Sequence, residues 1–207
     1  SGACIFLLPY FVLVVNGKIH VLGIMQKWMT DPPYYAELGH SIPNNLKPAV
    51  EKKVKKYVAS AIKTLGINFG SVNMDILITA DEKVYIVDIG ARMGGNMIGP
   101  CVIPYGTGID YMAAMLQNAV GDDVDLGIKE HTAVVTRLLA FKNGVIRNLP
   151  DVKQIERHFG VEIYHHMELG MRINEYHTNL DGCGYIVSRA KTQEKAIEKA
   201  ENFPQIY

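Results

Sequence analysis

An α+β fold is predicted by three observations. The first half of the chain holds two β-hairpin patterns, a long amphipathic helix separates them, and strands and helices alternate afresh after the acidic stretch 122–125. The apolar run 6–15 meets Asn16-Gly17, a pair suited to the positive φ angles of a type I′ turn, and returns over 18–25. A loop rich in proline and tyrosine follows and carries Glu37 and His40. Pro48 sits just inside a helix for which Asn45 could serve as cap. Val50, Val54, Val58, Ile62 and Leu65 recur on one face, while Lys52, Lys53, Lys55 and Lys56 make a solvated one. A second hairpin pairs 72–79 with 84–89 across the polar loop 80–83, and an apolar helix over 109–120 ends near Gly121. The acidic stretch marks a boundary between residues 1–125 and a smaller α/β lobe, 126–207. In that lobe a strand at 133–140 turns at 142–144 into 145–147. A helix at 152–158, strands at 161–166 and 184–189, and a helix at 192–202 complete it.

Composition bounds the function. With 207 residues, 48% hydrophobic and 20% charged, the chain can bury a core. The formal net charge is zero and no basic block or aromatic-arginine stripe occurs, so nucleic acid is not an expected partner. The only long apolar run, 3–15, is broken by Pro9, too short to span a bilayer, and lacks the basic start of a signal peptide. Cys4, Cys101 and Cys183 are odd in number and widely spaced, which fits reduced thiols in the cytoplasm. His165 and His166, adjacent on a strand, point to opposite faces, so a zinc site with His177 and Cys183 is not expected. Trp28 suits either a substrate pocket or core packing.

The second hairpin carries the chemistry. If Thr79 faces Val84, the register runs back through Leu77 with Ile86 to Asp75 with Asp88, and all four side chains share one sheet face. Like charges directly opposed are destabilising, so two such acids ask for a cation. Hard oxygen donors on a rigid sheet suit Mg²⁺, which takes one or two carboxylates and completes its shell with water and phosphate. The strand then runs into Gly90-Ala91-Arg92-Met93-Gly94-Gly95, where glycines allow close backbone approach and an arginine fork suits phosphate or carboxylate oxygens.

These residues resemble the ATP-grasp carboxylate-amine ligases. That pattern is an acid on one strand, a second acid on the next, an asparagine two positions later, an arginine two beyond it, and glycines. The matching positions hold Asp75, Asp88, Gly90, Arg92 and Gly94-Gly95. The L-amino-acid ligase branch is the most similar, since 37–43, Glu-Leu-Gly-His-Ser-Ile-Pro, looks like its E-x-GH-x-x-P segment. Likeness continues at 106–110 and 184–196. The chain departs from the pattern in having Asp88 for the usual glutamate, Gly90 for the metal-binding asparagine, and no acid in the strand before Asn16-Gly17.

The resemblance implies the C-terminal half of an ATP-grasp fold plus a small lobe. It implies ATP and Mg²⁺ as cofactors, and a reaction that activates a carboxylate as an acyl phosphate and joins it to an amine. Asp75 and Asp88 would hold the metal, and Leu77 and Ile86 would line the adenine. Arg92 and His40 would act in catalysis, while Glu37, Gly94, Gly95 and Asn96 would bind substrate. Small-molecule carboxylate and amine substrates are the expected partners, and a homodimer is compatible with this reading. The start at Ser1-Gly2-Ala3 and the lack of a lysine-bearing glycine-rich loop suggest a piece of a longer protein that does not turn over alone. The alternative is a degenerate ATP-grasp module that binds nucleotide or a partner without ligating anything.

Overall fold

The computed structural model describes residues 6–129 and 131–202, and Cys4 lies outside them. The described chain is mixed helix and antiparallel sheet, in two compact units. One contains the chain up to Gln26 and Ile42–His131; the other contains Lys27–Ser41 and the chain from Thr132 onward. Packing therefore divides the chain differently from a single boundary at 125, because the segment 27–41 belongs with the later residues.

In the first unit, β1 (Phe6–Val15) and β2 (Lys18–Ile24) form the expected hairpin, with Asn16 at φ 49° and Gly17 at φ 74° in its turn. In the second, β3 (Gln26–Met29) and β4 (Glu37–Ile42) replace what the sequence reads as a loop. Helix α1 (Pro48–Thr64) has Pro48 in its first turn, but its N-cap is Lys47, without a side-chain cap. Asn45 does not cap it: its amide donates to Gln26 Oε1 at 3.4 Å. Val50, Val54, Val58 and Ile62 of α1 pack on a sheet ordered β2-β1-β5-β6, where β5 is Gly70–Ile78 and β6 is Val84–Gly90. The buried side of that sheet comes from alternate residues, Leu8, Tyr10, Val12 and Val14 on β1 and Val72, Met74, Ile76 and Ile78 on β5. A π-helical turn, Ile98–Val102, and α2 (Ile103–Thr107) precede α3 (Tyr111–Val120), whose first turn is capped by Asp110 accepting from Ala113 N–H at 3.0 Å.

The second unit centres on a five-stranded sheet ordered β3-β4-β7-β11-β9, in which β7 is Ala133–Leu138, β9 Val161–His165 and β11 Gly184–Ala190. The expected hairpin of 133–140 with 145–147 does not form. Instead β8 (Gly144–Val145) pairs with β10 (Arg172–Ile173) in a separate ribbon. Asp151 caps α4 (Val152–Phe159), and α5 (Gln193–Glu201) places Ala196 and Ala200 against Ala133 and Val135.

Candidate functional site

Asp75 and Asp88 are direct cross-strand partners, as the sequence predicts. The path to that pairing differs. The hairpin closes with Ile78 opposite Val84, one residue earlier than expected, and an irregularity beside Asp75 and Ile76 inserts Val87 as an extra residue on β6. The bulge restores the register, so the acids meet although Leu77 faces Tyr85 and Ile86 faces Ile76. This corrects the adenine wall. Ile86 packs with Val84 and Ile89 against the α1 side of the sheet, whereas Leu77 lies on the other face with Asp75. Tyr85, Val87 and Asp88 are exposed on that outer face.

Beyond the acids, Gly90 stands opposite Asn73, and Asn73 in turn opposite Phe11. Two-residue periodicity puts Asn73 on the same face as Asp75, and Asn73 is half-buried. Sequence reasoning passed over this residue, although its position two before Asp75 was the available signal. The Arg92 side chain lies over Gly90: a Cβ at 90 would stand 3.4 Å from Arg92 Cγ and 3.6 Å from Nε. Arg92 is exposed and Nη1 donates to the Met93 carbonyl at 3.0 Å. Gly94 and Gly95, expected together at the substrate, separate in role. Gly94 is buried where any Cβ would run into the Phe11 ring, while Gly95 is exposed with open space beside it. Asn96 and Met97 both hold positive φ, 53° and 61°, in the turn that starts the π-helical segment.

Glu37 and His40 belong to the second unit and sit on strand β4 rather than on a loop. Glu37 is ion-paired with Lys27 of β3, whose side chain is only 4% exposed. Asn179 Nδ2 donates to Glu37 Oε2 at 3.2 Å, the Glu37 N–H donates to Asn179 Oδ1 at 3.2 Å, and the Tyr176 hydroxyl donates to the Glu37 carbonyl. Burial alone would raise the Glu37 carboxyl, but its charged and hydrogen-bonding neighbours hold it below the usual carboxylate range. His40 is 1% exposed. Burial pushes its imidazole down to about 4, with Lys27 and Arg137 acting the same way and Glu37 opposing them. At neutral pH His40 is therefore uncharged, and Lys27 is the cation that keeps Glu37 ionised. The His40 N–H donates to Thr136 Oγ1 at 3.1 Å, and its Nδ1 has no hydrogen-bond partner among the described residues. The imidazole is thus enclosed on a strand, where the sequence reads a loop. Trp28 lies under the Arg137 guanidinium, 3.8 Å from the ring centroid, so it supports a buried cation. Lys27, Tyr176 and Asn179 gave no motif in the sequence because they reach Glu37 only through folding.

Comparison with solved structures addresses the fold. An L-amino acid ligase from Bacillus licheniformis superposes with a TM-score of 0.84 at 22% identity, over 95% of this chain and 52% of that one. Phosphoribosylglycinamide synthetase from Anaerococcus prevotii gives 0.81 at 22% identity, over 95% and 51%. The chain has part of the ATP-grasp fold. The biotin carboxylase domain of Hydrogenobacter thermophilus 2-oxoglutarate carboxylase, solved with MgADP, ADP and bicarbonate, gives 0.73 at 16% identity, over 98% and 46%. This chain thus spans about half the length of the ATP-grasp structures it matches. No family model and no curated sequence matches it. Among the described residues no cluster of three or more His, Cys, Asp or Glu side chains is placed to hold a metal, and no helix is long and apolar enough to cross a membrane.

Proposed function

We propose that this chain is part of an ATP-dependent carboxylate-amine ligase, which activates a small carboxylate as an acyl phosphate with release of ADP and then joins it to an amine with release of phosphate. The observation that carries the reading is the direct opposition of Asp75 and Asp88 on the outer face of an ATP-grasp sheet. Two carboxylate donors fit Mg²⁺, which takes one or two protein carboxylates, and with ATP bound it would neutralise phosphate charge. Asp75 and Asp88 would hold the ion, Leu77 would offer an apolar surface on the same face, and Arg92 would meet developing anionic charge on the transferred group. Gly95 and Asn96 flank the open turn where a substrate carboxylate would lie. The buried cysteines Cys101 and Cys183, neither in a disulfide, are in keeping with a reducing, cytoplasmic setting.

A second reading is a module that binds nucleotide without ligation, favoured by Gly90, which offers no side-chain ligand. Full-length protein supplied with Mg²⁺, ATP and mixed amino acids separates the two. The ligase reading expects ADP, phosphate and an amide product, all lost in Asp88→Asn. Nucleotide binding without product would contradict it.

A further inference from the structure

The residue at 90 is a glycine, yet the ladder sets an asparagine directly across from it. Asn73 and Gly90 are register partners, in the row next to the Asp75–Asp88 pair, and the two-residue period turns Asn73, Asp75 and Asp88 to the same outer face. Directly opposed positions lie roughly 5 Å apart at Cβ and diagonal ones roughly 7–8 Å, so the three side chains start from neighbouring positions on one face. Asn73 is half-buried, neither packed into the α1 core nor projecting into bulk solvent. With no side chain at 90, nothing from that position crowds the Asn73 amide on its β6 side; Arg92 passes above.

We propose that Asn73 supplies, from β5, the amide oxygen that position 90 cannot supply from β6, making Asp75, Asp88 and Asn73 a three-oxygen site for a divalent cation. This rests on the acid pair binding metal as set out above. Two carboxylates and one neutral carbonyl are hard donors with a net charge of about −2, a set suited to Mg²⁺ or Mn²⁺ rather than zinc or copper. The competing role for Asn73 is to orient the Arg92 guanidinium, which would affect activity but not metal affinity.

Mn²⁺ titration of this chain, followed by the electron paramagnetic resonance signal of the free ion, tests the assignment without turnover. Asn73→Ala is expected to weaken Mn²⁺ binding about tenfold, and the double variant Asn73→Ala with Gly90→Asn to recover to within about threefold of the parent. Asn73→Asp, which keeps the shape and adds charge, is expected to bind more tightly than the parent. Parent-like affinity in Asn73→Ala, or weakening without recovery in the double variant, overturns the ligand assignment. A parent that takes up no Mn²⁺ at millimolar metal, or an Asp88→Asn variant that binds as the parent does, overturns the acid-pair reading itself. Far-ultraviolet circular dichroism of each variant establishes that its fold is retained.

Discussion

On β6 the carboxylate of Asp88 is exposed and faces another carboxylate across the ladder, whereas on β4 Glu37 is half-buried and already holds the Lys27 ammonium and an Asn179 hydrogen bond. Both arrangements place acids on strands. The first leaves like charges opposed, a local cost that a bound cation would relieve. In the second, opposite charge arrives with the fold, and the reward is a fixed strand geometry. The contrast is between two acids set opposite each other on an exposed face and one acid set opposite a lysine on a half-buried strand.

The largest effect that would sharpen this contrast is removal of Lys27. Lys27→Met keeps the stem but strands the Glu37 carboxylate, and the loss of one partner from a largely buried pair is expected to cost about 3 kcal/mol in denaturant unfolding. A loss below about 1 kcal/mol would mean that Glu37 is satisfied without it.

A comparable effect is expected from acid. His40 titrates at about 4 in the folded chain against its ordinary 6.5, so between these values the unfolded state binds the extra proton and stability rises with pH. Its contribution is fully present above pH 6.5 and is lost as pH falls toward 4, by about 3 kcal/mol. Glu37, held below its ordinary value, loses stability in the same direction but only further into acid. His40→Asn should flatten the dependence between pH 6.5 and 4. An unchanged slope would assign it to other groups.

Gly94→Ala comes next, at about 1–3 kcal/mol, because the new methyl must displace the Phe11 ring. Gly95→Ala, facing open space, should cost well under 1 kcal/mol. Equal costs at the two positions would show that the turn, not the ring, demands glycine.

How much of this was legible varies with how far each residue's surroundings are local. The β-branched arms of the β5–β6 hairpin announced both strands, and the acid pair followed from their spacing. That success combined two compensating features: the hairpin closes one residue earlier than its loop composition suggested, and the bulge at Val87 adds the residue back. Ile86 shows the cost, since the same offset turns it to the core. Strand β4 was not legible because 37–42 has no apolar alternation. His40 and Ser41 are buried through hydrogen bonds to Thr136 and Gln193, residues from distant parts of the sequence. Gly39 belongs there because a Cβ would collide with the Thr136 carbonyl on the neighbouring strand, which no sequence window reveals.

The central claim is that Asp75 and Asp88 are opposed in order to share a divalent cation, and thermal unfolding with and without Mn²⁺ tests it most directly. Without metal, Asp88→Asn should melt slightly higher than the parent, by about 1–2 °C, because it removes the cross-strand repulsion. With millimolar Mn²⁺ the parent should rise and the variant should not, since only a folded-state site gains from the ion. A parent unmoved by Mn²⁺, or a variant stabilised as much as the parent, would contradict the account.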